Sequence, residues 1–337
     1  MSDQTGWQIE SKMKSVEGPI LVLGASGFVG ANLFLALLKV RSDVYGTASR
    51  VPAWRLDGVP FDSLLVIDLL IESAVEKVLE KIRPKTVFDC TAFGAYSFEQ
   101  DPKLIYDTNF VRLTQLIPML TRQGISRYIH SGSSSEYGLN CAGPAESDEL
   151  LPNSDYAVSK VAAAAYLCYQ GRVLGFPCVS LRLYSLYGPL EDTSRLIPAV
   201  VQCAREGRLP EFVDGGNSRD FVYVDDAVNA FIRAATELKP HLYGHSINIG
   251  TGRKCTMLEL ATVAKQVFRL DADARFTHTG RNWDAPNWFA NPDFAREQIG
   301  WAASIGLEEG LKRTFEWIQT IDSARYFKSS KKNEFKE

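Results

Sequence analysis

The 337-residue sequence contains no close pair of cysteines. Its six (Cys90, Cys141, Cys168, Cys178, Cys203 and Cys255) never approach a CxxC spacing, so they read as reduced core or surface thiols of a cytoplasmic protein. Histidine is sparse too. His130, His241, His245 and His278 are scattered, and no metal cluster is expected. No apolar run reaches the roughly 20 residues that a membrane-spanning helix needs. The first segment, Met1 to Glu17, is polar and lacks the apolar stretch of a signal peptide; it reads as a frayed tail, as does 323–337 with Lys328, Lys331 and Lys332. Charge of one sign is absent in excess: 37 Lys and Arg stand against 40 Asp and Glu, a net charge of −3. Neither a nucleic acid nor an acidic membrane is expected as partner. No internal repeat is visible.

What is present is an ordinary globular composition, 45% hydrophobic and 23% charged. The length suits one large domain, or a domain with a smaller lobe. Pro19 to Leu23 is a short apolar run, read as a buried strand. It runs into Gly24-Ala25-Ser26-Gly27-Phe28-Val29-Gly30, and Ala31 to Lys39 reads as a helix. Strand, glycine turn and helix in that order give a phosphate-binding fingerprint its context. The glycines let backbone approach a pyrophosphate, and the helix start offers free N–H groups and a positive dipole end. Strands at 44–47, 64–67, 86–90, 127–130 and 178–183 then alternate with helices at 72–82, 101–122 and 156–174. This βαβα rhythm predicts an α/β fold of the Rossmann type, a doubly wound parallel sheet spanning 18–183. From Tyr184 the rhythm loosens. A smaller substrate-binding lobe is expected over 184–322, with some segments returning to the sheet.

Chemistry concentrates at Asp155-Tyr156-Ala157-Val158-Ser159-Lys160. Tyr156 and Lys160, four apart, share one helix face. A phenol titrates near ~10, and a neighbouring ammonium lowers that value, so the pair can take a proton from an alcohol. The cluster His130-Ser131-Gly132-Ser133-Ser134-Ser135-Glu136-Tyr137-Gly138 follows a strand end that should face the cofactor crevice, where a serine can bond the same alcohol. His130 itself reads as a core histidine. Asp68-Leu69, after the third strand, reads equally as a helix cap or as an acceptor for an adenine amine. The second strand ends in Thr47-Ala48-Ser49-Arg50, with no acid to hold ribose hydroxyls. Ser49 and Arg50 can instead meet a 2′-phosphate, which tips the cofactor, NAD(P) in class, toward NADP.

Taken together, these motifs resemble those of the extended short-chain dehydrogenases/reductases, in their NAD-dependent epimerase/dehydratase family of nucleotide-sugar enzymes. The resemblance covers about 19–320. Besides the glycines, serines, Tyr156 and Lys160, it rests on Asp101-Pro102 with Asn109, on Arg182 to Pro189, on Arg219 to Asp226, on Asn248 to Gly252, and on Arg281 leading to Gly300-Trp301. It implies a nicotinamide cofactor under Gly24, Ser26, Gly27, Phe28, Val29 and Gly30, with Ser49, Arg50, Asp68, Leu69, Thr91, Ala92, Asn109, Tyr156 and Lys160. It implies Tyr156 as catalytic base and acid, Lys160 as its partner, and Ser133 or Ser134 as the hydroxyl neighbour. A nucleoside-diphosphate sugar is implied as substrate, touching Ser134, Glu136 and Ser185, with Arg219 and Arg281 as a diphosphate clamp whose planar guanidinium groups match phosphate oxygens. A homodimer is implied, through helices 101–122 and 156–174, which carry Leu104, Ile105, Leu113, Leu116, Val161, Ala164 and Leu167.

Three departures matter. Ser185 stands where such enzymes usually carry Asn. Asp89-Cys90-Thr91-Ala92 replaces His-Leu-Ala-Ala, read here as without functional loss. Ser135 occupies the place of the acid that 4,6-dehydratases need, with Glu136 one residue late. The expected activity is therefore that of a nucleotide-sugar 4-epimerase or 4-ketoreductase. A 4,6-dehydratase, or a non-catalytic dinucleotide sensor, is the alternative.

Overall fold

The computed structural model describes residues 2–277, 286–321 and 326. Helix α1 (Ser2–Ser15) opens the chain, followed by strand β1 (Ile20–Leu23), the glycine turn and α2 (Phe28–Leu38). Then come β2 (Val44–Ala48), β3 (Leu64–Val66), α3 (Glu72–Ile82), β4 (Thr86–Asp89), α4 (Pro102–Tyr106) and α5 (Arg112–Gln123). After β5 (Arg127–Ser133) stand α6 (Asp155–Arg172), β6 (Cys178–Leu183), β7 (Ser185–Tyr187) and α7 (Leu196–Arg205). The remainder is β8 (Glu211–Phe212), β9 (Ser218–Arg219), β10 (Phe221–Tyr223), α8 (Val224–Glu237), β11 (His245–Ile249), β12 (Cys255–Thr256), α9 (Met257–Phe268), β13 (Arg275–Phe276), α10 (Asp293–Ile299) and α11 (Leu307–Thr320).

Seven parallel strands form the central sheet in the order β3-β2-β1-β4-β5-β6-β11. The order reverses between β1 and β4, and a crevice opens there at the carboxyl ends of the strands. The strands are apolar on both sides because helices cover both faces. Ile20 and Val22 join the layer with Phe34, Phe231 and Trp301, while Leu21, Leu23, Val87 and Tyr128 face α3, α5 and α6. The helix expected over 101–122 is present with an inserted π turn at Asp107–Val111, between α4 and α5. Such one-residue bulges recur at functional sites. A third core, with Ile197, Phe212, Phe221, Met257, Leu260 and Leu311, belongs to the later segments. α8 and β11 return to the main sheet.

The chain start differs from its expected frayed state. Helix α1 occupies 2–15, and Met13 and Val16 are buried against the main core. Ile9, Met13 and Val16 recur at helical spacing, but among so many polar neighbours the stripe is thin. Lys12 adds an ion pair to Glu237 on α8 at 2.6 Å. All six cysteines are free thiols. No helix among the described residues is long and apolar enough to cross a membrane.

Candidate active site

A single cleft of about 2170 Å³ runs along the carboxyl edge of the sheet and under the later segments. Ligand pockets commonly measure 300–1,000 Å³, so this one has room for two nucleotide-sized molecules. Its first wall is the fingerprint. Gly24 has φ +72°, a conformation that favours glycine, and a Cβ there would meet Cys90 and Thr91 backbone at 3.0 Å. A Cβ on Gly30 would stand 2.2 Å from the Gly24 carbonyl oxygen, so α2 can pack this close only as glycine. Gly27 N–H donates to Gly24 O, and Gly24 N–H donates to Thr47 Oγ1, which closes the turn. The residues present therefore fit a dinucleotide: a glycine cradle, a free helix start at Phe28 and Val29, and a crevice at the switch point. Ser26, Ser49, Arg50, Asp68, Leu69, Thr91 and Ala92 also line this arm. Ser49 and Arg50 are exposed at its rim. Asp68 does not cap α3, whose first turn follows Ile71; it accepts from Leu70 N–H at 2.9 Å in the turn before the helix, and it lines the cleft.

Asn109 lies elsewhere than expected. It is fully buried in the π turn, bonded to both backbone groups of Phe93 and to Ser159 Oγ at 2.9 Å. It does not line the cleft; it ties the loop after β4 to α6, two elements that do.

The floor is built by α6 and β5. Ser154 caps α6 by accepting from Ala157 N–H, which presents Tyr156 in the first turn. Tyr156 and Ser133 both line the cleft, and Ser133 lies close enough to act on the phenol. Lys160, one turn on, is fully buried; its Nζ donates to Ser131 O at 2.9 Å and lies 5.8 Å from the Tyr156 ring centre. The electrostatics run opposite to the expected lowered phenol. Burial pushes Tyr156 up to about 12, against which Ser133 and Arg195 work. Burial also brings Lys160 down to about 8. Desolvation is the largest influence on both groups.

Glu136 is the clearest departure from the expected contacts. Its carboxylate caps the short turn after β5, accepting from Ser133 N–H at 2.9 Å, and pairs with Arg182 Nε at 2.7 Å. It is fully buried and does not line the cleft, whereas Ser133, Ser134 and Ser135 do. The capping-box geometry turns the acid inward, because both its oxygens are claimed by donors on the sheet side.

The second wall comes from the later segments. Ser185 and Arg219 line it; the Arg219 guanidinium lies 5.1 Å from the Trp288 ring centre, and Trp288 Nε1 donates to Ser134 Oγ. Asp220, beside Arg219, accepts from Thr251, Gly252 and Ala290 and so pins three segments together. Arg281 lies outside the described residues. Sequence reasoning missed Arg55, Tyr96, Glu191, Arg195 and Trp288, all on this cleft. Arg55 donates to Ser26 O at 3.3 Å and to Leu190 O at 2.7 Å, bridging the two walls. None of these carries a spacing signal; loop closure alone brings them together.

A crevice at the switch point, a glycine cradle and a Ser/Tyr/Lys floor define a Rossmann-type nicotinamide-dinucleotide enzyme. Residues 20–250 match the family model described as NAD dependent epimerase/dehydratase family, and the chain belongs to that family. A UDP-glucose 4-epimerase of Mycolicibacterium smegmatis is 28% identical over 314 residues, covering 89% of this chain and 98% of that protein. A trifunctional UDP-glucose 4,6-dehydratase, epimerase and reductase of Arabidopsis thaliana is 29% identical over 88% of this chain, which spans 47% of that longer protein. Among solved structures, the UDP-N-acetylglucosamine 4-epimerase of Methanobrevibacter ruminantium superposes with a TM-score of 0.80 at 26% identity, covering 89% of this chain and 98% of that one.

Proposed function

We propose that this chain is a nucleoside-diphosphate-sugar 4-epimerase. The observation that carries the reading is that Tyr156 and Ser133 line one cleft with room for a dinucleotide and a nucleotide sugar, with Lys160 buried one helical turn behind Tyr156. The names of its relatives support the same substrate class. A sugar C4 hydroxyl seated between Ser133 and Tyr156 hands its proton to the tyrosine oxygen. Arg195 and Ser133 favour the phenolate that burial alone disfavours, and Lys160, now bonded to Ser131 O, would hold the ribose hydroxyls of a bound cofactor. The bound nicotinamide supplies the hydride acceptor and donor. Inversion at C4 would further require the sugar to present its other face, for which the cleft has room. Arg219, braced on Trp288, takes the diphosphate; Ser134 and Ser185 take sugar hydroxyls.

A 4-ketoreductase is the second reading, favoured by Arg50 and Ser49 at the cofactor rim, which suit a 2′-phosphate and hence a released NADPH. Dehydration is disfavoured, since Glu136, the acid one residue past the dehydratase position, is locked to Arg182 and does not line the cleft. A mere sensor has no use for the three-residue floor.

The chain is further read as a homodimer. Ile105, Leu113, Leu116, Ala164 and Leu167, expected at the interface, are buried within the protomer. The apolar groups exposed on and just beyond these helices are Val111, Val158, Tyr169, Val173 and Leu174, and a two-fold contact would pair them. Light scattering that gives a monomer at micromolar concentration overturns the dimer.

For the activity, the purified protein is denatured, its released nucleotide identified by mass, and the native protein incubated with a panel of UDP- and dTDP-sugars. Retained dinucleotide and C4 inversion without added cofactor support the epimerase. Dependence on stoichiometric NADPH supports the ketoreductase. Turnover on no sugar overturns both.

A further inference from the structure

Asp89, passed over above as a neutral replacement, sits in a buried cluster that the catalytic reading leaves unused. It is the last residue of β4, faces His130 across the β4–β5 ladder, and is wholly buried. Its Oδ2 accepts from Arg112 at 2.7 Å and from Tyr128 Oη at 2.6 Å, and its Oδ1 accepts from Thr91 N–H. His130 Nδ1 is 3.9 Å away, and neither ring nitrogen of His130 has a hydrogen-bond partner. Alternation along the strands puts Asp89, Tyr128 and His130 on the face covered by α5 and α6. Arg112 enters from the first residue of α5, directly after the π turn. Lys160 enters from α6, bonded to Ser131 O, the residue after His130 on β5.

We infer that the buried Asp89–Arg112 pair positions charge for catalysis, Asp89 holding the Lys160 ammonium protonated and Arg112 limiting that hold. Asp89 and Arg112 act through Lys160 and are positioning residues; neither needs to touch substrate. The inference rests on the reading of Lys160 as a cofactor-holding ammonium.

Two physical arguments carry it. A wholly buried carboxylate is costly unless paired, and here it is paired with a guanidinium that is itself buried to 2% side-chain exposure. A hydrophobic pair would serve packing equally well, so the charges need another use. Second, the sheet brings Lys160 to this cluster: its Nζ donates to Ser131 O, the residue after His130, which pairs with Asp89 across the ladder at 3.9 Å, in a medium where charges interact strongly. The groups that act electrostatically on Lys160 are Asp89 from β4, Cys90 just beyond it, Glu136 from the turn after β5 and Arg112 from α5, and Lys160 in turn acts on His130 from β5. Desolvation lowers Lys160 to about 8, Asp89 is the largest influence raising it, and Arg112 opposes. Burial and the neighbouring Lys160 keep His130 neutral, with a value of about 3, so it adds no charge at working pH.

Opposite signs make the test. NADH affinity is titrated by fluorescence from pH 6 to 10 in the wild type and in Lys160→Arg, Asp89→Asn, Arg112→Gln and the double variant Asp89→Asn/Arg112→Gln. In the wild type, affinity falls as pH rises through the Lys160 transition, and Lys160→Arg abolishes that fall. Asp89→Asn moves the transition down by roughly one pH unit or more, Arg112→Gln moves it up, and the double variant returns toward the wild type. If Lys160→Arg leaves the fall unchanged, the reading of Lys160 itself is wrong. If Lys160→Arg abolishes it but Asp89→Asn and Arg112→Gln shift it in the same direction, or not at all, the pair is structural and the inference is overturned. Should Asp89→Asn fail to fold, an unmoved or lowered transition in Arg112→Gln overturns it alone.

Discussion

The two walls of the cleft are made differently. The cofactor wall is backbone: Gly24 at positive φ, Gly27 and Gly30 under the carbonyl of Gly24, and Thr47 closing the turn. The opposite wall is ionisable side chains from separate segments: Arg55, Glu191, Arg195 and Arg219, with Trp288 and Tyr96 against the arginines. A wall for one ligand can be set by main-chain geometry, which few sequences satisfy and which reads as a motif. A wall that selects among sugars is set by side chains, which only the folded loops bring together.

Tyr156 stands where the walls meet, so its hydroxyl offers the largest separation of chemistry from binding. Tyr156→Phe should lower turnover by about 10²–10⁴ while leaving dinucleotide affinity close to wild type. Retention of more than half the activity would show that the phenol is not the proton carrier.

Gly30→Ala attacks the backbone wall alone. The new Cβ would lie 2.2 Å from a main-chain oxygen that cannot swing aside. Overpacking of this kind costs about 1–3 kcal/mol, and the fingerprint turn must move to relieve it. Thermal stability and dinucleotide affinity should fall together. A variant that binds the dinucleotide normally would mean that the cradle is not needed at this closeness.

Glu191→Gln tests the charged wall. Glu191 is buried, one carboxyl oxygen has no partner, and burial raises it to about 8. The folded protein thus keeps a proton that the unfolded chain releases near ~4.3. Stability contributed by this site is complete below the lower value and is lost as pH rises toward 8, at about 1.4 kcal/mol per tenfold displacement of the equilibrium. The amide cannot ionise, so the variant should be more stable than wild type at pH 8 and indistinguishable at pH 4. Melting curves at both values decide; equal melting at pH 8 would place the charge of Glu191 in solvent.

Legibility follows the same division. The sheet order, the fingerprint and the Tyr156–Lys160 pair could be read because each depends on local spacing: apolar runs, glycines at fixed offsets, and one helical turn. The inward turn of Glu136 could not, since it depends on Arg182 arriving from β6. Asn109 was read as a cofactor contact because its motif was recognised without the π turn that buries it. Helix α1 was hidden by its polar residues. Asp89 and Arg112, 23 positions apart, form an ion pair that no local pattern announces.

The smallest expected effect lies at the rim of the backbone wall, where a charged side chain joins it. β2 ends without an acid, so nothing repels a 2′-phosphate, and Arg50 stands exposed beside Ser49 on the cleft. Guanidinium–phosphate contacts are charge-assisted, but exposure limits such a pair to about 0–1 kcal/mol, less at high salt. NADPH should therefore bind several-fold more tightly than NADH at low ionic strength, and Arg50→Ala should remove most of that preference while leaving NADH affinity unchanged. Fluorescence titrations of both dinucleotides at two salt concentrations measure it. Equal affinities in the wild type would mean that Arg50 only faces solvent, and the ketoreductase reading would lose its support while the epimerase reading kept its own.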